Sequence, residues 1–158
     1  MKKFFSVFFV LFAAITTTML MSCGSDDDDK VKTQVVTMQF EANDDFMSLL
    51  DISVVYTDEN GNTKTEAMNG KFSKTLTISN FPASGTFSLQ TTPKSSFTEG
   101  RYNPSLQYTL NIGGLSKSNT YNFQKTYSSS SSVQTLADTY NKYKWSWSFL
   151  ADGTREDK

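Results

Sequence analysis

The residue types that carry most enzyme chemistry are scarce in this chain. Its 158 residues include no histidine and one cysteine, Cys23. Without histidine there is no Ser-His-Asp or Cys-His site and no imidazole to ligate a metal. A single thiol makes no internal disulfide and no thiolate cluster. Carboxylates remain, at Glu41, Asp44, Asp45, Asp51, Asp58 and Glu59. A glycosidase needs two of them facing each other, about 5–10 Å apart. These residues stand instead in turn-like segments, where Asp is common. Asp58-Glu59-Asn60-Gly61 lacks the spaced ligands and final Glu of a calcium loop. Gly113-Gly114 lacks the Lys-Ser/Thr pair of a phosphate-cradling loop. The expectation is a protein that is not an enzyme and uses no cofactor or metal. Fifteen Lys+Arg against sixteen Asp+Glu leave a net charge of −1, so there is no basic footprint for nucleic acid.

Two groups suit binding better than catalysis. Tyr143, Trp145, Trp147 and Phe149 alternate with Lys144, Ser146 and Ser148. Aromatic faces stack on sugar rings, and the same stripe also makes the core face of a strand, where aromatics bury large areas. Full burial of both Trp removes the platform reading. The second group lies in Thr92–Pro104, the longest apparent connection, which holds Phe97, Glu99, Arg101 and Tyr102. Long connections without structure of their own are often functional, and Arg and Tyr are enriched at interaction hot spots. Phe97, Arg101 and Tyr102 are the candidate ligand-binding residues. The competing reading has the aromatics fold back over one end of the domain.

The first residues carry a different message. Met1-Lys2-Lys3 is positive, Phe4 to Ile15 is apolar apart from Ser6, and Thr16-Thr17-Thr18 breaks the run before Met19-Leu20-Met21-Ser22-Cys23. This is the layout of a secretory signal peptide; a spanning helix needs about 20 apolar residues. Gly24-Ser25-Asp26-Asp27-Asp28-Asp29-Lys30 follows at once. Small residues and successive like charges bury no apolar surface, so an extended tether is expected. Gly24 to Lys32 reaches at most about 30 Å at roughly 3.3 Å per residue.

Leu20-Met21-Ser22-Cys23 resembles a bacterial lipobox. The resemblance implies that Cys23 is lipidated and becomes the first residue of the mature chain. Cys23 followed by Asp26, Asp27, Asp28 and Asp29 resembles the surface-export signal of lipoproteins of the Bacteroidales type. That implies a lipid anchor in the outer membrane and display at the cell surface; a spacer on a periplasm-facing lipoprotein is the plainer alternative. Several acyl chains anchor stably where one does not, at roughly 0.8 kcal/mol per buried methylene. From Val31 to Lys158 acidic and basic residues balance at twelve each, so the acidic excess of the mature chain lies in the tether.

The elements that must position any site are strands. Apolar residues recur with period two through Val36-Met38-Phe40, Leu50-Ile52-Val54-Tyr56, Phe87-Leu89, Leu106-Tyr108-Leu110-Ile112 and Tyr143 to Phe149. That is the pattern of strands with one face on a core. Phe72, Leu76 and Ile78 share a parity that would also bury Lys74, so that strand is expected to be bulged or at an edge. Tyr121, Phe123 and Tyr127 share another. Asp58 to Asn62 and Asn69-Gly70 read as turns; Pro82 to Gly85, Gly113-Gly114 and Lys117-Ser118-Asn119 read as strand ends. Val133, Leu136, Ala137 and Tyr140 sit at helical spacing, predicting a helix over about 133–141 capped by Ser132, after a flexible run from Tyr127.

Seven or so short strands predict an all-β fold: an antiparallel β-sandwich, immunoglobulin-like, with one short helix before the last strand. The expected organisation is a signal peptide over 1–22, lipidated cysteine and tether over 23–32, the sandwich over 33–150 and a polar tail over 151–158. The expected function is a non-catalytic binding or adhesion module for a glycan or a protein. The alternative is a structural accessory subunit of an outer-membrane assembly or fimbria, ahead of a carboxylate-based hydrolase.

Overall fold

The computed structural model describes residues 32–156; Cys23, the acidic run Asp26–Asp29 and the leader lie outside the described residues. In chain order the first half runs β1 (Gln34–Ala42), α1 (Asp44–Leu49), β2 (Leu50–Thr57), β3 (Thr63–Met68), β4 (Lys71–Ile78) and β5 (Ala83–Pro93). The second half runs β6 (Gly100–Tyr102), β7 (Ser105–Ile112), β8 (Leu115–Asn122), β9 (Lys125–Tyr127), α2 (Ser130–Tyr140) and β10 (Lys144–Phe149). Two four-stranded sheets have the orders β4-β1-β7-β8 and β10-β5-β2-β3, and β6 pairs β9 in a small ribbon. Every strand pair is antiparallel.

The period-two residues do what alternation requires. Val36, Met38 and Phe40 from β1, Ile52, Val54 and Tyr56 from β2, Phe87 and Leu89 from β5, and Leu106, Tyr108 and Leu110 from β7 all point into one core. Rings from the two sheets meet across it: Phe40 and Trp145 lie 5.5 Å apart, and Tyr56 and Phe72 lie 6.2 Å apart. The fold is therefore mostly β, with antiparallel sheets packed as a sandwich. Its strand pairing has its own order: β1 and β2 lie in different sheets, whereas the constant-type immunoglobulin order makes the first two strands neighbours.

The helices close one end. In α2, Val133, Leu136, Ala137 and Tyr140 are buried, as their spacing required. Thr91 on β5 ties down the helix end. Its hydroxyl donates to the Ala137 carbonyl at 3.0 Å, its N–H donates to Asn141 Oδ1 at 2.7 Å, and Asn141 Nδ2 donates to its carbonyl at 3.1 Å. The edge of Phe46, on α1, meets the Tyr140 ring at 4.6 Å. Among the described residues no helix is long and apolar enough to cross a membrane.

Several expectations are corrected. α2 starts at Ser130, and Ser129 rather than Ser132 caps it, its hydroxyl accepting from Ser132 N. The serines expected to be a flexible connection therefore form the cap and first turn, where hydroxyls satisfy helix-end N–H groups. Lys117-Ser118-Asn119 does not end a strand; it lies inside β8. Gly85 lies inside β5, paired with Trp147. Tyr121 and Tyr127 belong to different strands, and Phe123 lies between them. The segment Thr92–Pro104 is not one long loop, because β5 runs to Pro93 and β6 takes up Gly100–Tyr102. β4, by contrast, is an unbulged edge strand, one of the two forms expected. Beyond β10 the polar segment turns back, so that Phe149 and Arg155 form an antiparallel bridge. Lys32 donates to the Asp152 carbonyl and Gln34 Nε2 to that of Gly153, which fixes this turn to the start of β1. The described residues form one compact unit.

Candidate functional site: a cleft between two strand edges

Each sandwich side has a seam where an edge strand of one sheet faces an edge strand of the other. On one side, β3 faces β4 and the seam is closed. Lys74 Nζ binds Glu66 Oε1 at 2.8 Å and lies 5.2 Å from the Tyr56 ring centroid; the Tyr56 hydroxyl donates to the same carboxylate oxygen. The hydrogen bonds from Lys74 and Tyr56 hold the Glu66 carboxyl below the ordinary range.

On the other side, between β8 and β10, the seam is open. A cleft of about 560 Å³ runs there. Leu110, Ile112, Trp145 and Trp147 give it apolar walls. Leu115 and Lys117 from β8 and Lys144 from β10 form its rim, and Arg155 and Glu156 line it from the returning segment. The β7–β8 hairpin turns at Gly113-Gly114, both at positive φ (55° and 88°), which the primed two-residue turn needs and other residues adopt poorly. Rings close the opposite end: Tyr121 stacks on Tyr143 at 4.5 Å and on Tyr108 at 5.9 Å.

β8 explains why the cleft exists. Its strand parity sends Leu115, Lys117, Asn119 and Tyr121 to one face, and Tyr121 shows that this face is the inner one. Only Tyr121 of the four is apolar enough and placed to be half-buried; Leu115 is 59% exposed. The inner face of β8 thus has no sheet beneath most of it.

The aromatic stripe divides along its length. Trp147 (5% exposed) and Phe149 are buried in the core, while Trp145 and Tyr143 are half-buried. Trp147 fits because its cross-strand partner is Gly85. A Cβ on Gly85 would stand 2.5 Å and 2.7 Å from the indole and 2.8 Å from Thr57 Cβ. Trp145 is already stacked with Phe87 at an interplanar angle of 21° and with Tyr143 at 22°. The stripe is mainly core and shows no flat, free row of rings.

The three residues favoured in Thr92–Pro104 lie elsewhere. Phe97 and Tyr102 are half-buried against the core. The Tyr102 hydroxyl donates to the Thr98 carbonyl at 2.7 Å, and its ring meets Tyr127 edge-on at 6.1 Å. Arg101 is exposed on β6, opposite Thr126. The aromatics fold back over the domain, leaving the guanidinium outward.

Four of the six candidate carboxylates have local partners. Glu41 pairs Lys71 at 2.9 Å and Asp51 pairs Lys94 at 3.8 Å. Asp45 accepts from Asn103 N at 2.6 Å. Asp58 accepts from Asn60 N at 3.0 Å and Asn62 N at 2.8 Å. Burial pushes the Asp58 carboxyl up, and these bonds together with Lys64 outweigh it, so its pKa is lowered. Among the described residues no group of three His, Cys, Asp or Glu is placed to hold a metal ion.

Sequence reasoning missed the cleft because β8 has no apolar alternation. The signal it did contain was the exposed pair Leu115 and Lys117 directly after a Gly-Gly turn. Compared with known proteins, the chain matches no protein-family model, no curated protein and no solved structure.

Proposed function

We propose that this chain is a non-catalytic binding module, anchored by lipid at Cys23 in the outer membrane and displayed at the cell surface on the acidic tether Asp26–Asp29. Its ligand site is the cleft between β8 and β10. The observation that carries this reading is the cleft itself: about 560 Å³ with apolar walls and a polar, cationic rim, the composition of a recognition site. The rim cations Lys117 and Lys144 belong to no ion pair among the described residues. Among the described residues, Glu156 is the one acid that lines the cleft. The immunoglobulin-like likeness is one of architecture and adds nothing to the choice of ligand.

The test has two parts. Protease shaving of intact cells removes the domain if it is displayed outward and spares it if it faces the periplasm. Residues 31–158, probed against glycan and protein arrays, should retain at least one ligand class. Lys117→Glu with Lys144→Glu should abolish that retention while leaving the circular dichroism spectrum unchanged. Retention untouched by the double substitution would place the ligand elsewhere.

A second reading, an accessory subunit of an outer-membrane assembly, is favoured by the unpaired strand edges that border the cleft.

A further inference from the structure

We propose that the occupant of the β8/β10 cleft is an extended polypeptide strand of a partner protein, added to the outer edge of β10 beneath β8. The inference rests on the reading of this cleft as the binding site and names the ligand class.

The backbone supplies the first argument. In an antiparallel ladder each residue sends its N–H and C=O to the same side, and the side alternates. Ser148 accepts from Glu156 N at 3.0 Å, and Leu150 N donates to the Thr154 carbonyl at 2.8 Å. Ser148 therefore points away from β5, and so by parity do Ser146 and Lys144. β10 is the terminal strand of its sheet. Among the described residues, the outward N–H and C=O groups of Lys144 and Ser146 thus have no ladder partner. The chain itself shows that this edge accepts a strand, because Thr154–Glu156 starts an antiparallel ladder on it at the Phe149–Arg155 bridge. A row of alternating donors and acceptors matches the backbone of another polypeptide and not the irregular hydroxyl pattern of a sugar.

The side chains supply the second. The inner face of β8 has nothing beneath it where Leu115 and Lys117 stand, and one further strand beside β10 would lie under that face. Alternate side chains of such a strand would enter the space bordered by Ile112, Leu115 and Trp147. Lys117 and Lys144 border the same space, so the matching strand carries carboxylates among alternating apolar residues. The rings argue against a sugar platform: Trp145 is already stacked with Phe87 and Tyr143, and Trp147 lies over Gly85.

One edge amide elsewhere is already capped. On β8, Thr120 N is capped by the Asn119 side chain at 2.8 Å. Lys74 and Glu66 bridge the far seam.

The experiment is a selection of random twelve-residue peptides displayed on phage against residues 31–158, followed by binding of synthetic winners. The expected winners alternate apolar residues and carry at least one Asp or Glu. Ser146→Pro removes the outward N–H, at the kind of edge position where proline is tolerated. It should weaken binding about tenfold, the worth of a ladder hydrogen bond, and Lys144→Glu should weaken it similarly. N-methylation of alternate peptide amides removes the same ladder without touching the protein, and should abolish binding in one of the two registers. Bound peptide should slow amide exchange at Ser146. Winners that bind Ser146→Pro and N-methylated forms undiminished would overturn the proposal, as would a selection that yields none. If a glycan array then gives a ligand that Lys144→Glu abolishes, the binding module stands and the strand falls. If no class of ligand binds, both fall.

Discussion

β4 and β8 are the two edge strands of one sheet, equal in length, and they meet opposite fates. β4 places Phe72, Leu76 and Ile78 against the core, with Leu76 1% exposed. Its one inward polar residue, Lys74, is matched by Glu66 and the Tyr56 ring. β8 places Leu115, Lys117 and Asn119 on its inner face, the first two over the open cleft. The sandwich is finished along the first edge and unfinished along the second. Burying apolar surface stabilises by about 25 cal/mol per Å², so the chain keeps β8 without that contribution over most of its length.

The largest test of this contrast removes one leucine from each strand. Leu76→Ala should cost about 2–5 kcal/mol, through lost burial and the cavity left behind. Leu115→Ala should stay within about 0.5 kcal/mol, as exposed substitutions usually do. Urea unfolding of residues 31–158 reads both. An equal cost at the two sites would mean that β8 is covered in solution and that the contrast is false.

The next effect tests how the open side holds its wall. Gly85→Ala places a methyl group inside the Trp147 indole, and overpacking of this kind costs about 1–3 kcal/mol. Trp147→Phe in the same chain should relieve it, so that the double variant is more stable than the summed single losses by on the order of 1 kcal/mol. Strict additivity would show that the indole does not depend on the missing side chain.

Ser146→Pro should come third. Its N–H points outward, so the loss of stability should stay below about 1 kcal/mol, whereas proline at Ser88, in the central strand β5, removes a ladder bond and should cost clearly more. Thermal melts followed by circular dichroism separate the two. A large loss at Ser146 would mean that its amide is already paired.

The same physics decided what was legible in the sequence. Alternation reports burial against a second sheet, so β1, β2, β4, β5, β7 and β10 could all be read from it. The helix stripe Val133, Leu136, Ala137 and Tyr140 was legible for the equivalent reason. β3 escaped because only Met68 of its six residues is buried, and β8 escaped because Lys117 and Asn119 interrupt the apolar period of its inner face between Leu115 and Tyr121. β6 and β9 are three residues each, too short for any period. The aromatic stripe was visible, but not that Gly85 would receive Trp147, which depends on a long-range register. Of the strands that the pattern missed, β8 is the one that lines the cleft, because Leu115 and Lys117 on its inner face stay exposed there.

The smallest effect concerns charge. Glu66 in the closed seam has a folded pKa held down, first by the Lys74 hydrogen bond and then by that of Tyr56. A carboxyl whose folded pKa is depressed stabilises the fold fully above its unfolded value, near 4.3, and loses that contribution as pH falls through the lower folded value. Stability should therefore decline below about pH 5, and Glu66→Gln should make that decline shallower. Asp58 and Asp152 are shifted in the same direction, so the slope should lessen and not vanish. Glu66 keeps 44% of its side chain exposed, and solvent screening makes the change modest; added salt should narrow it further. In the open seam Lys144→Gln removes a cation that belongs to no ion pair among the described residues, so the slope should stay as it was. If Lys144→Gln altered the acid limb as much as Glu66→Gln, its ammonium would have a carboxylate partner in solution, and the cleft would be less open than its geometry says.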